Sequence, residues 1–167
     1  MWNLIPNPLT EDRLLVVLDD FINPKIGRKI FACGYLHDHA AKDNQSSYPW
    51  SQCVVAIGLL NQIKSRWACL PLSFSFYMMK KDIEAERVNS KRRGEVMVFN
   101  TKMHQAATML MAVYVHFKRP VLIVTDRWFG NDGLWSRLDR GQNGAFHLLS
   151  RYEESSGSPQ KIRQSSR

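Results

Sequence analysis

Two aspartates, each closing an apolar and largely β-branched run, are the residues of this chain best placed to do chemistry. Leu14-Leu15-Val16-Val17-Leu18 ends in Asp19, and Val121-Leu122-Ile123-Val124-Thr125 ends in Asp126. Runs of this composition bounded by polar residues suit strands buried on both faces. A carboxylate leaving the core at the end of such a strand is aimed by a rigid sheet. Two of them delivered to one place supply part of a Mg²⁺ site, because Mg²⁺ takes a few carboxylates plus water and phosphate oxygens. Taken alone, each Asp is the ordinary polar stop of a strand. Their neighbours shift that balance.

The stretch Asp19-Asp20-Phe21-Ile22-Asn23-Pro24-Lys25-Ile26-Gly27-Arg28-Lys29 resembles the first catalytic segment of DDE-class insertion-sequence transposases. In that family a strand ends in Asp-Asp and a Lys-x-Gly-Lys/Arg-Lys turn follows. Val124-Thr125-Asp126-Arg127-Trp128-Phe129 resembles the second segment, a strand ending in Asp-Arg-x-Phe. Leu134-Trp135-Ser136-Arg137-Leu138 and Gly144 to Arg151 match the helix and strand that come next, so the resemblance runs from Leu14 to Arg151. It implies a ribonuclease-H-like fold in which Asp19 and Asp126 are catalytic acids and metal ligands. The implied cofactor is Mg²⁺ or Mn²⁺, with two ions serving phosphodiester cleavage and strand transfer. Asp20 is set apart, since adjacent strand residues point to opposite faces. Lys25, Arg28, Lys29 and Arg127 are candidate phosphate contacts, though each is also an ordinary exposed charge.

The chain departs from that family in two ways. The family needs a third carboxylate, usually Glu, on a helix beyond the last strand. Here the chain runs from Arg151-Tyr152-Glu153-Glu154 into a Ser-, Arg- and Lys-containing tail with one aliphatic residue, Ile162. The tail has no helical periodicity and reads as disordered. The resemblance is therefore to a transposase truncated before its third acid, with Glu153 and Glu154 as the remaining carboxylates there. The second departure is Phe21, where the family more often has a small hydroxyl residue.

Charge and cysteine usage bound the partners and the compartment. The 167 residues fit one domain with a real core and carry a net charge of +8, with a pI near 9.6. A polyanionic partner such as DNA suits that balance better than an acidic small molecule. Lys80-Lys81 and Lys91-Arg92-Arg93 concentrate positive charge mid-chain. Three cysteines, Cys33, Cys53 and Cys69, read as reduced thiols rather than a disulfide framework. No apolar run is long enough to span a bilayer, and the N-terminus lacks signal-peptide character, so no membrane partner is expected. The expected location is cytoplasmic and nucleoid-associated.

Three units position these groups: an extended segment over 1–12, a partial ribonuclease-H-like domain over 13–152, and a disordered basic tail over 153–167. The fold class is α/β (α+β), a mixed sheet built from a three-strand antiparallel meander followed by helix-strand-helix-strand. The meander is predicted from strands near Arg13–Asp19, Lys29–Leu36 and Gln52–Leu60. Leu70 to Tyr77, with Leu and Phe alternating against Ser, is a possible additional strand. Lys80–Arg93 reads as a loop or short exposed helix. Asn100 or Thr101 offers an N-cap for a helix through Phe117, whose Met103, Ala106, Ala107, Leu110, Val113 and Tyr114 form one apolar face. Asn131 is placed to cap a short helix stopping at Gly141. The resemblance, not the pattern, implies that the first strand lies beside the strand carrying Asp126.

Cys33-x3-His37-Asp38-His39 invites a zinc reading, but no paired ligand motif accompanies it. A polar strand end is the reading adopted. The sequence thus supports a partial DDE transposase catalytic domain acting on DNA, inactive alone. The alternative is a non-catalytic remnant that binds nucleic acid, itself or an intact transposase. A self-sufficient nuclease of the same fold would need a complete acid set.

Overall fold

The residues described by the computed structural model are 13–39, 41–85, 90–138 and 144–150. The segment 1–12, the helix stop at Gly141, and the tail with Glu153 and Glu154 lie outside them.

The architecture is mixed α/β. Strands β1 (Leu14–Pro24), β2 (Cys33–Tyr35), β3 (Trp50–Ile63) and β4 (Arg66–Tyr77) precede helix α1 (Lys80–Glu84) and a small hairpin, β5 (Lys91–Arg92) and β6 (Glu95–Val96). Helix α2 (Lys102–Phe117), strand β7 (Val121–Thr125), helix α3 (Asp132–Leu138) and strand β8 (Phe146–Ser150) complete it. One six-stranded sheet runs β2-β3-β1-β7-β8, with β4 also paired to β3. β1 is antiparallel to β3 and parallel to β7, which is parallel to β8. The first strand therefore does lie beside the strand that carries Asp126.

Alternation along the strands sorts the sheet into two faces. Leu14, Val16 and Leu18 of β1, Val55, Ile57 and Leu59 of β3, and Val121 and Ile123 of β7 are buried on the face that receives Ala106, Leu110 and Val113 of α2 and Leu134 and Leu138 of α3. Each such aliphatic side chain removed from water contributes about 1.5–3 kcal/mol before chain entropy is set against it. Helix α2 begins as its sequence predicts: Thr101 Oγ1 accepts from the His104 N–H at 3.2 Å. It ends at Lys118 in the left-handed region, whose N–H donates to the Tyr114 carbonyl. Among the described residues no helix is long and apolar enough to cross a membrane.

The meander differs from expectation in membership. The predicted strand over 29–36 shrinks to Cys33–Tyr35 and pairs with the Trp50–Gln52 end of β3, not with β1. Ala32 sits at φ 58°, which interrupts an extended run just before it. The third member is instead β4, the additional strand, joined to β3 by a two-residue turn in which Lys64 and Ser65 both have positive φ. Within β4 a bulge opposite Ile57/Gly58 inserts Leu72. Leu70, Leu72, Phe74 and Phe76 share one parity, yet the bulge splits them. Leu72 is buried in the core, while Phe74 stands on the opposite face, 64 % exposed. Lys80–Arg93 is not simply exposed either: Asp82 and Ile83 of α1 are buried.

Candidate functional site

β1 and β7 are in register from Leu14↔Val121 to Leu18↔Thr125, so the next step along each strand brings Asp19 beside Asp126. Both have the parity of Leu15, Val17, Leu122 and Val124, the face turned away from α2. Asp126 is fixed from two sides. Its Oδ1 accepts from the Phe129 N–H at 3.3 Å, and its carbonyl accepts from the Ser150 hydroxyl at 2.8 Å. Phe129, fully buried, anchors this turn in the core. Asp19 Oδ1 accepts from the Asp20 N–H at 2.8 Å.

The electrostatics are those of two like charges held together. The Asp19 carboxyl is pushed above its ordinary value first by burial, then by the negative charges of Asp126 and Asp20, against the lowering effect of the Asp20 N–H. A cation placed between them would relieve that repulsion.

Asp20 faces the other way, as alternation requires. Its Oδ2 accepts from Lys102 Nζ at 2.6 Å and from the Cys53 thiol at 3.5 Å. Lys102 also lies over the Tyr77 ring, 5.3 Å from its centroid. Burial works against the Lys102 ammonium, but Asp20 and Cys53 outweigh it and hold the group above its usual value. Burial likewise raises the Cys53 thiol to about 11, opposed by Lys102 and assisted by Asp20, so this sulfur is a packed thiol and not a nucleophile. Cys33 is also buried, Cys69 is exposed, and none of the three forms a disulfide.

A cleft of about 710 Å³ opens over the two aspartates; Asp20, His37, Asp38, His39, Lys102 and Trp128 are among its walls. Some of these were legible and some were not. Lys102 could have been found: a cation in the first turn of a helix opposes the helix dipole, which calls for a compensating acid. The His37-Asp38-His39 segment, considered for zinc, instead borders the cleft. Its imidazoles stack edge to face at 4.3 Å, and the His37 ring meets Tyr48 at 4.9 Å. Cys33 is buried in β2, which ends before His37, so the three do not share a strand face. Among the described residues no three His, Cys, Asp or Glu side chains form a metal-holding group.

The basic candidates do not converge on the aspartates. Lys25 follows β1, six residues beyond Asp19, or about 20 Å of extended chain. Arg28 and Lys29 lie farther along that loop, and neither they nor Arg127 line the cleft. The loop is tied to the sheet by Trp50 Nε1 donating to the Gly27 carbonyl at 2.9 Å and Gln52 Nε2 to the Phe31 carbonyl at 2.7 Å.

Comparison with protein-family models, with curated proteins and with solved structures gives no match to this chain.

Proposed function

We propose that this chain is a partial DDE-class transposase catalytic domain with a ribonuclease-H-like fold, whose cleft takes a DNA phosphodiester at Asp19 and Asp126. The observation that carries the reading is the pairing of these two acids at adjacent positions on neighbouring parallel strands. The sheet order supports it: an antiparallel set of four, β1 to β4, then two parallel strands reached through helices, with the two acidic segments meeting at the β1–β7 seam.

The donor set suits one hard divalent cation. Asp19 and Asp126 supply two carboxylate donors whose mutual repulsion a cation relieves. Mg²⁺ or Mn²⁺ bound there would polarise a phosphoryl oxygen and acidify a coordinated water. The chain's own contribution is to fix Asp126 through Phe129 and Ser150, and to hold Asp20 away from the cation by pairing it with Lys102. The net charge of +8 favours phosphate contacts with DNA, with affinity falling steeply as salt rises.

Binding without cleavage is the second reading, favoured by the finding that among the described residues no three His, Cys, Asp or Glu side chains form a metal-holding group. Three acids hold two ions in the family this chain resembles, and two suffice for at most a weak site. The deciding experiment is Mn²⁺ titration followed by electron paramagnetic resonance, run beside a supercoiled-plasmid nicking assay. The parent should bind about one Mn²⁺ weakly, lose it in Asp19→Ala and Asp126→Ala, and leave the plasmid intact. No Mn²⁺ binding by the parent sinks the metal-site reading. Nicking that both substitutions abolish sinks the non-cleaving one, and points to Glu153 or Glu154 as a further acid.

A further inference from the structure

The sheet face that carries Asp19 also carries a run of phenylalanines leading away from it. Residues paired directly across an antiparallel sheet put their side chains on one face. The register sets Asp19, Ala56 and Phe74 in one row across β1, β3 and β4, and Phe21, Val54 and Phe76 in the next. Phe74 is therefore two strand spacings from Asp19, or about 10 Å. Phe74 meets Phe76 edge to face at 5.6 Å, and Phe76 meets Phe31 at 5.7 Å. The Arg92 guanidinium lies over the Phe31 ring, 5.7 Å from its centroid.

Cations close the far end of this run. The β5–β6 hairpin turns through Arg93 and Gly94, both at positive φ, and the Met97 N–H donates to the Ser90 carbonyl at 2.9 Å to close it. A cleft of about 450 Å³ separates Phe31 from the hairpin, with Arg92, Arg93, Glu95, Val96 and Met97 on its other walls. Segments 25–31 and 90–97 together hold six Lys or Arg residues and a single acid, Glu95. Arg28, Lys29, Arg92 and Arg93 are exposed, as are the rings of Phe21 and Phe74. Aromatic rings in solvent with guanidinium groups at their edge are the two parts that bind an unpaired polynucleotide: one stacks bases, the other holds phosphates.

We propose that this open face is a track for single-stranded DNA, with bases stacking on Phe74 and Phe21 and phosphates held by Arg92, Arg93, Arg28 and Lys29. The inference rests on the reading that the cleft takes DNA, and adds the course of the strand beyond it: past Asp19, over Ala56, onto Phe74 and out to the hairpin. A duplex keeps its base faces stacked on one another, so the phenylalanines gain nothing from it. A second copy of the chain would bring its own cations against this rim, whereas a polyanion neutralises them. The track reads no sequence, because every base has a π-face.

The test titrates the full chain, in EDTA, into fluorescently labelled oligo(dT), oligo(rU) and a DNA duplex of equal length, and reads anisotropy. The parent should bind oligo(dT) more tightly than the duplex, and oligo(rU) no more tightly than oligo(dT). Phe74→Leu removes the π-face and keeps the apolar surface, so altered self-association cannot imitate its effect. It should weaken oligo(dT) binding about 5- to 100-fold and leave the duplex unchanged, whereas Phe74→Tyr should keep most of the affinity. Arg93→Asn retains a residue that tolerates positive φ and removes the charge. It should lower the slope of log affinity against log salt for oligo(dT) by about 0.7, the share of one phosphate contact. A duplex bound as tightly as oligo(dT), no binding to either, or Phe74→Leu matching the parent would overturn the proposal. Tighter binding of oligo(rU) would overturn its assignment to DNA. Since EDTA removes divalent ions, this outcome is independent of the Mn²⁺ titration, so the track and the metal site can fail separately.

Discussion

Lys102 Nζ sits 2.6 Å from Asp20 Oδ2, joining the first turn of α2 to the strand that carries Asp19. The pair is mostly shielded, with side-chain exposures of 23 % and 17 %. It keeps the second carboxylate of the Asp19-Asp20 dipeptide on the helix side of the sheet. Lys102→Met leaves Asp20 without its cation in a partly buried place, and should cost about 1–3 kcal/mol in urea unfolding. Lys102→Met/Asp20→Asn should recover part of that loss. Because the Lys102 ammonium is raised, its contribution is complete below the ordinary lysine value and disappears as pH climbs through the raised one. A loss under about 0.3 kcal/mol, within the range of ordinary surface pairs at about 0–1 kcal/mol, would show that the pair does not hold the strand.

Asp19 carries the opposite sign. Its carboxyl is raised in the folded chain, so the folded state holds that proton more tightly than the unfolded one. Stability is therefore surrendered as pH rises through the carboxylate range. Asp19→Asn should melt with the parent at low pH and above it at neutral pH without divalent ions. Mn²⁺ should then raise the parent's melting temperature and not the variant's. A variant that melts below the parent at neutral pH would contradict the repulsion argument.

Gly130 is needed for a close approach. A Cβ there would collide with the Ser150 hydroxyl and lie 2.6 Å from Ser150 Cβ, disturbing the side chain that donates to the Asp126 carbonyl. Gly130→Ala should destabilise by about 1–3 kcal/mol, the usual cost of overpacking. Ser150→Gly added to it should relieve most of the clash, so a double-mutant cycle should show coupling between the two positions. Strict additivity would mean that the turn absorbs the methyl elsewhere.

The sheet face turned away from α2 and α3 exposes large apolar side chains. Phe21 is 51 %, Phe74 64 %, Trp67 67 % and Leu149 58 % exposed, and all four have the parity of that face. Apolar surface of this kind drives association. Light scattering after gel filtration should show the parent's mass rising with concentration. Phe74→Glu with Trp67→Lys should shift it toward monomer without lowering the melting temperature. A parent that stays monomeric at high concentration would remove this expectation.

Local order was legible from the sequence because it is written in periods of two and 3.6. The apolar runs ending at Asp19 and Asp126, the α2 face through Ala106, Leu110 and Val113, and the Thr101 cap each depend on residues within a few positions of one another. What pattern alone could not decide was partnership, because any half-buried strand can pair with any other. The resemblance anticipated β1 beside β7, but only the tertiary structure replaced the 29–36 strand with β4 and turned Leu72 inward against its neighbours. Only it brought Lys102 to Asp20 across 82 positions, and His37, His39 and Trp128 to one cleft. Those contacts arise where separate elements pack, and packing depends on register and bulges rather than on composition. The sequence by itself determined that two carboxylates would leave strand ends. The fold decided that they would meet.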